Sequence, residues 1–305
     1  MPASLRELRE RRRSVAATQK ITNAMELIAA SRIIKANRAA QAAFPFTREL
    51  NRAVAAVAAH GEVEHPLTSE PASSKRVLVL LFTSDRGLNG AYSTNAIKAA
   101  MRLIEKLQSE GKEVTRYVVG KKGISYFGFR QIPMDATFEG FTDEPGYDNA
   151  IEIGDALRKE FETPFDEGGV DEIYAVYTRM KSMLIQEPRV RRLLPIEVVE
   201  EGTDRAGAVD TSDTPEPYEF EPNAHTVLDE LLQAYVRNRV WFYLLESAAS
   251  QLASQQRAMK AATDNAGELI KNLTREANQA RQAEITQEIS EIVGGAGALA
   301  EASSE

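Results

Sequence analysis

The 305-residue chain contains no cysteine, which excludes disulfides and any thiolate metal or redox centre. It has only three histidines, His60, His65 and His225, and nothing around them completes a set of metal ligands. No stretch reaches the eighteen or more apolar residues of a membrane span, and the N-terminus lacks the apolar core of a secretory signal. We therefore expect no catalytic residue, metal site, cofactor or membrane span, and a cytoplasmic location.

The net charge of −8 is unevenly distributed, because residues 1–50 carry ten Lys or Arg and only four Asp or Glu. A basic segment can bind nucleic acid. Here the arginines fall within a helical pattern that lacks the interleaved aromatic residues of a nucleic-acid surface. We interpret them as facing an acidic protein surface or water, and expect no nucleic-acid partner.

Residues 1–60 are predicted to form a long helix. The segment Ala3–Phe44 lacks both Gly and Pro and is rich in strong helix formers. Ile21, Met25 and Ile28 recur at intervals of four and three residues, which places them on one apolar stripe. Pro45 is expected to kink this helix without ending it, since the pattern resumes at Glu49.

Residues 75–200 are predicted to form a Rossmann-like α/β domain. Strand patterns over 77–82, 114–119, 172–178 and 193–199 alternate with helical patterns over 91–110, 121–127 and 148–161. This alternation indicates a mostly parallel sheet covered by helices. Residues 201–222, rich in Asp, Thr, Pro and Gly, are predicted to be an acidic loop.

Residues 223–305 are predicted to form a second long helix. Residues 224–293 include one Gly and no Pro, and a heptad seam indicates a left-handed coiled coil. The seam consists of Leu245, Ala248, Leu252, Gln255, Met259, Ala262, Ala266, Leu269 and Leu273. The glycine-rich run 294–297 is expected to fray or end the helix.

The two terminal helices both adjoin the central domain, so they must run antiparallel if they pair. The second helix is longer and should overhang the first by about 20–30 Å. The overhang carries an apolar stripe of Ile285, Ile289 and Ile292, preceded by the hydrogen-bonding residues Arg281 and Gln282. Because an exposed apolar stripe usually marks an interface, we expect this tip to insert into another protein.

The segment Ser84-Asp-Arg-Gly-Leu-Asn-Gly90 follows the first predicted strand, where phosphate loops occur in α/β folds. It matches neither G-x-x-x-x-G-K-[ST] nor G-x-G-x-x-G, which favours a structural turn. A nucleotide-binding α/β enzyme remains an alternative, as does a non-catalytic coiled-coil scaffold protein with an α/β head.

Five segments together resemble the γ subunits of bacterial F-type ATP synthases. They are residues 19–32, the Ser84–Gly90 turn with Asn89 in place of the family's usual Cys, and residues 259–266, 280–288 and 292–295. The resemblance implies a central-stalk rotor, whose coiled coil stands within three α and three β subunits. Its α/β foot would contact ε and the c-subunit ring, with one copy per complex at the cytoplasmic face of the plasma membrane.

The resemblance also implies roles for particular residues. The rotor would couple proton flow to ATP synthesis, while the β subunits carry the ATP chemistry, so this chain would not itself be an enzyme. Arg281 and Gln282 would form a catch for a β loop. The acidic lever of β would be faced by Lys20, Met25, Glu26 and Arg32. The foot contacts with ε and the c ring would be made by Tyr218 and Phe220.

Overall fold

The computed structural model of the chain describes residues 4–59, 74–196, 198–199, 209–210 and 224–302. Two long helices, α1 (Leu5–Ala59) and α5 (Ala224–Ala302), flank the remaining elements. These are β1 (Arg76–Phe82), α2 (Tyr92–Ser109), β2 (Glu113–Val119), α3 (Lys121–Phe129), β3 (Ala136–Phe138), α4 (Tyr147–Glu162), β4 (Glu172–Met180), β5 (Gln186–Leu194), β6 (Val198–Val199) and β7 (Val209–Asp210). The chain forms two compact units, one of Met1–Ile28 with Ala258–Glu305 and one of Ala29–Arg257.

The larger unit contains a five-stranded sheet in the order β3-β2-β1-β4-β5. The first four strands are parallel, as the sequence predicted, and β5 runs antiparallel to β4. The strand predicted over 193–199 is divided: its first two residues end β5, and Val198–Val199 pairs instead with Val209–Asp210. Pro195 accounts for the break, because proline has no N–H to continue a ladder.

Alternate residues of β1 face two different apolar layers, which is why the strand is apolar at every position after Arg76. Val77, Val79 and Leu81 pack with α2 and with Phe127 of α3. The opposite face packs against residues of α4, α5 and α1: Leu78, Leu80 and Phe82 belong to that layer. The sheet therefore has helices on both faces, in agreement with the predicted fold class.

Helix α5 is buried on several sides where it crosses the sheet. Tyr243 stacks on Tyr177 of β4 with ring centroids 4.4 Å apart, and Leu50 and Val54 of α1 join the same apolar cluster. Farther along α5, Leu252 packs with Ile33 of α1. Within this unit α1 and α5 thus share one core with the sheet.

The smaller unit is an antiparallel pair of helical segments. Thr22 of α1 meets Thr263 of α5 through their hydroxyls at 2.7 Å, whereas Leu8 packs with Leu273 and Ala277. Residues nearer the start of α1 thus contact residues nearer the end of α5, so the two segments run antiparallel, as predicted. The predicted seam needs one correction, because Leu269 is 37% exposed while its neighbour Ile270 is half-buried.

Helix α5 does not end at the glycine-rich run 294–297, contrary to expectation, and continues to Ala302. Glycine in a helix costs only about 1 kcal/mol relative to alanine, and no proline follows to block propagation. The surrounding Ala296, Ala298, Leu299 and Ala300 are strong helix formers, so the run interrupts neither the hydrogen-bond ladder nor the helical path. In agreement with expectation, α1 runs through Pro45 without ending.

Candidate partner-binding surfaces

The end of α5 extends beyond the part that packs against α1. Leu5 and Ala280 are the outermost residues of the apolar cluster that joins the two segments. From Arg281 to Gly294 every side chain is exposed. At a rise of about 1.5 Å per residue, the helix from residue 281 to 302 is roughly 33 Å long. This stretch is the overhang of α5; near its start, Glu284 still lines a cavity together with Leu5, Arg6 and Arg9 of α1.

The overhang presents a continuous apolar stripe to solvent. Ile285, Ile289 and Ile292 are 43%, 56% and 71% exposed and lie four and three residues apart, on one helix face. Val293 extends the stripe at 65% exposed and was missed by the sequence analysis. Such a stripe is the kind of surface that marks a protein interface.

Arg281 and Gln282 lie one turn before this stripe, and both side chains are exposed. Within the described residues neither side chain takes part in a hydrogen bond or ion pair; the main-chain oxygen of Gln282 accepts from the Thr286 hydroxyl at 2.9 Å. The guanidinium fork and the amide are thus free to meet a partner.

The residues of the N-terminal segment of α1 that the resemblance assigns to a partner surface differ in exposure. Lys20 is exposed, but Met25 and Glu26 are half-buried. Ile21 and Ile28, which the spacing had placed on one stripe, are 61% and 54% exposed. The inward positions follow a 3-4 repeat in which four of the seven residues are polar: Leu5, Leu8, Arg12, Val15, Gln19, Thr22 and Glu26. Leu27 joins Ile21 and Ile28 as a large exposed apolar residue.

Arg32 belongs to the larger unit and has a partner within the chain. Its guanidinium lies 3.9 Å from the Asp143 carboxylate, which Arg86 also approaches at 2.9 Å. One turn along α1, Lys35 pairs with Glu144. The loop after β3 therefore supplies acidic partners for two cations of α1, of which Arg32 is the one that the resemblance assigns to another subunit.

The Ser84–Gly90 turn uses its polar side chains to hold itself together. The Ser84 hydroxyl meets that of Ser93 at 2.6 Å and accepts from Asn89 Nδ2 at 2.8 Å. Leu88 and Gly90 both have positive φ, which explains the glycine at position 90. Asn89 thus stabilises the turn through its side-chain amide. It stands at the position where the family that the sequence resembles usually has Cys.

Asp85 connects this turn to two other segments. Its carboxylate accepts hydrogen bonds from the main-chain amides of Lys121, Gly140 and Thr142 and from the Thr142 hydroxyl, at 2.9–3.1 Å. Burial alone would raise the pKa of Asp85, but these four donors outweigh it and lower the pKa below its ordinary value. Through these hydrogen bonds, the turn that follows β1 connects the start of α3 to the loop after β3.

The remaining predicted contacts, Tyr218 and Phe220, lie outside the described residues. Within the described part of the chain, no helix has both the length and the apolar character that crossing a membrane requires.

A family model described as ATP synthase matches residues 4–299. The ATP synthase gamma chain of Nocardioides sp. is 57% identical over 99% of this chain and 98% of its own length. This chain belongs to the ATP synthase gamma chain family. Other members include the ATP synthase gamma chain of Cutibacterium acnes, 56% identical over 99% of this chain and 98% of that protein. The ATP synthase gamma chain of Streptomyces coelicolor is 52% identical over 99% of this chain and 98% of its own length.

Solved structures share the fold of this chain at low sequence identity. A chain of the Euglena gracilis mitochondrial ATP synthase rotor matches 92% of this chain and 98% of its own length, with a TM-score of 0.63 and 15% identity. A chain of the Tetrahymena thermophila mitochondrial ATP synthase central stalk and c ring matches 79% of this chain and 99% of its own length, with a TM-score of 0.55 and 20% identity. This chain therefore shares its fold with chains from the rotor and the central stalk of these ATP synthases.

Proposed function

We propose that this chain is the central-stalk rotor (γ) subunit of a proton-driven F-type ATP synthase. In this role it transmits the rotation of the c-subunit ring to the catalytic β subunits, which carry out the ATP chemistry, and has no catalytic site of its own. The observation that carries the proposal is the similarity to ATP synthase gamma chains over nearly the full length of the chain.

The helix pair of the smaller unit suits the transmission of torque. Two segments joined along a seam resist twisting better than one helix alone. The seam is close where Gly267 faces Gln19, since a Cβ at position 267 would lie 3.1 Å from Gln19 Nε2. Gln19 Nε2 also donates to the Thr263 main-chain oxygen at 3.4 Å. Small and polar seam residues thus hold the pair at short range.

The overhang of α5 suits insertion into a surrounding ring of three α and three β subunits. Its apolar stripe would be buried in that ring, which removes exposed apolar surface from water. In this arrangement Arg281 and Gln282 bind a β loop. A hydrogen bond to a charged group contributes about 1.5–3 kcal/mol, which is strong enough to position the loop and weak enough to break as the rotor turns.

The other partner contacts follow the same assignment. Lys20, Met25, Glu26 and Arg32 face the acidic lever of β, although Arg32 must then exchange Asp143 for its partner. Tyr218 and Phe220 contact ε and the c ring. The complex contains one copy of this chain, held peripherally at the cytoplasmic face of the plasma membrane.

Co-expression with the α and β subunits of the same organism tests this function. We expect an ATP-hydrolysing complex that contains one copy of this chain. A scaffold protein would instead leave ATP turnover unchanged, and an independent nucleotide enzyme would bind or turn over nucleotide without α and β. Either result would contradict the rotor assignment.

The catch can be tested in the same complex. Replacing Arg281 and Gln282 by Ala should lower both assembly and ATP synthesis, because a partner carboxylate loses its donors. The matched control is Lys271→Ala with Gln279→Ala, which removes one cation and one amide from exposed positions before the overhang. Equal activity of the two double variants would refute the catch.

A further inference from the structure

The turn between β4 and β5 exposes three consecutive large apolar side chains. Met183, Leu184 and Ile185 are 42%, 73% and 47% exposed, and we call them the hairpin tip. Turns consist mostly of Gly, Pro, Asn, Asp and Ser, because these residues favour turn geometry. Three large apolar residues in succession are therefore unusual in a turn, and the geometry of the turn does not require them.

Hydrogen bonds hold the turn in a defined conformation. The Ile185 amide donates to the Ser182 main-chain oxygen at 3.2 Å and to Ser182 Oγ at 3.1 Å. The Gln186 side-chain amide donates to the same Ser182 main-chain oxygen at 3.0 Å. From α5, the Arg257 guanidinium donates to the Leu184 main-chain oxygen and, at 2.6 Å, to Gln186 Oε1. These polar groups bind one another, and the apolar side chains of the hairpin tip face water.

The base of the hairpin is fixed to α5 as well. The Ser250 hydroxyl donates to the Thr178 main-chain oxygen at 2.9 Å, and the Met180 amide donates to the Glu246 carboxylate at 3.1 Å. The hairpin tip is therefore an ordered apolar surface on a rigid support. An exposed apolar patch marks an interface, and a preorganised one loses little conformational entropy when a partner binds.

The charges near the hairpin tip indicate the kind of partner. The hairpin and the part of α5 that binds it carry four cations and two acids, a net charge of +2: Arg179, Lys181, Arg189 and Arg257, and Glu187 and Glu246. Glu187 is already shared, because its carboxylate lies 2.6 Å from Arg189 and 4.0 Å from Lys181. Arg179, Lys181 and Arg257 are exposed. An apolar centre with a cationic rim is complementary to an apolar surface with an acidic rim.

We propose that the hairpin tip is a docking surface for an acidic segment of a partner protein that also carries apolar side chains. Leu184, the most exposed residue of the tip, enters the apolar part of that segment. Arg179 and Lys181 pair with its carboxylates. A protein segment suits this surface better than anionic lipid does, because two hydrogen bonds fix Arg257, and a fixed cation matches a carboxylate at a defined position. The inference goes beyond the rotor assignment, which does not use this hairpin.

Photo-cross-linking from the full chain, in cells of the source organism, tests the docking surface. A benzophenone amino acid in place of Leu184 labels the segment that contacts it, and mass spectrometry identifies that segment. We expect a segment of another protein that contains apolar residues and in which Asp and Glu outnumber Lys and Arg. The test does not depend on which complex contains the chain, so it holds even if the rotor assignment fails.

Several cross-linking results would overturn the inference. They are a neutral or basic segment, a lipid, and a second copy of this chain. A yield no higher than that from the same amino acid in place of Glu105, an exposed residue of α2, would also overturn it.

The cationic rim is tested by the yield of the same cross-link. Arg179→Ala with Lys181→Ala should lower that yield by about threefold or more, because two exposed ion pairs with the partner are lost. Neither side chain takes part in the hydrogen bonds that fix the turn, so the hairpin should keep its shape. Lys98→Ala with Arg102→Ala, exposed on α2, is the matched control and should leave the yield unchanged. Equal yields from the two double variants would overturn the proposal.

Discussion

The Asp85 side chain accepts hydrogen bonds from three main-chain amides of the α/β unit. Its carboxylate takes amide hydrogens from the start of α3 and from the loop after β3. That loop carries Asp143 and Glu144, which pair with Arg32 and Lys35 of α1. The Ser84–Gly90 turn, which the sequence marked as a possible phosphate loop, therefore acts on the position of α1.

Replacing Asp85 by Asn should destabilise the chain by about 1–3 kcal/mol, because three main-chain amides and the Thr142 hydroxyl lose a charged acceptor. The measurement is urea unfolding of the purified chain at neutral pH. Asp166→Asn, at an exposed position, is the control and should change the stability by less than about 0.5 kcal/mol.

The pH dependence of the Asp85→Asn effect has a definite sign. The folded-state pKa of Asp85 lies below the unfolded value of about 3.9, so its stabilisation is present above that pH. It is lost as the pH falls through the folded pKa. The gap in unfolding free energy between wild type and variant should therefore shrink in acid, and a gap that widens below pH about 4 would contradict the assigned role.

Gly120 and Gly128 offer a second test at the level of single residues. Gly120 has a φ of 96°, and a Cβ there would lie 2.6 Å from the Thr83 main-chain oxygen, whereas a Cβ at Gly128 in α3 meets nothing within 4 Å. Gly120→Ala should cost more than about 2 kcal/mol through clash and strain. Gly128→Ala should be neutral or stabilise by up to about 1 kcal/mol. Thermal denaturation of both variants measures the two effects. Equal melting temperatures would be evidence against a clash between a Cβ at position 120 and the Thr83 main-chain oxygen.

At the scale of whole elements, the register of the helix pair can be tested by two leucines four residues apart. Leu273 is 2% exposed and packs in the seam, while Leu269 is 37% exposed. Leu273→Ala should cost about 2–4 kcal/mol, and Leu269→Ala less than about 1 kcal/mol. Helix content followed by circular dichroism during unfolding measures both. Equal losses of unfolding free energy would mean that Leu269 lies in the seam, as the sequence predicted.

Elements with a strong periodic or apolar signal could be predicted from the sequence, whereas one very short strand and one charged edge strand could not. The composition of α1 and α5 and the apolar run of β1 identified those elements because each carries a strong local signal. Strand β3 has only three residues, too few for a pattern. Strand β5 contains Arg189, Arg191 and Arg192, whose charges suit an edge strand but conceal it in the sequence.

The candidate surfaces were predictable in part for the same reason. The apolar stripe of the α5 overhang could be identified because its residues recur at helical spacing with no matching partner segment in α1. The exposure of Ile21 and Ile28 could not be inferred from three apolar residues, since Gln19, Thr22 and Glu26 are polar and yet occupy inward positions. The pairing of Arg32 with Asp143 depends on a tertiary contact between residues far apart in sequence.

For the whole molecule, the central physical question is what buries the apolar stripe of the overhang. Ile289 and Ile292 are more than half exposed, so truncating them removes little packing from the free chain. Ile289→Ala with Ile292→Ala should therefore leave the unfolding free energy within about 0.5 kcal/mol of wild type, since alanine also favours helix. If a ring of α and β subunits encloses the stripe, the same variant loses about 2 kcal/mol or more of binding energy.

That loss corresponds to an affinity at least about 30-fold weaker, since about 1.4 kcal/mol is tenfold. It can be measured by letting differently tagged wild-type and variant chains compete for limiting α and β. Glu284→Ala with Glu288→Ala, exposed on the same helix, is the control and should compete almost equally. Loss of competition by the isoleucine variant, with unchanged stability, would show that the stripe contributes to assembly and not to folding. Undiminished competition would mean that the overhang stays in water, and torque would then have to enter the ring through other surfaces.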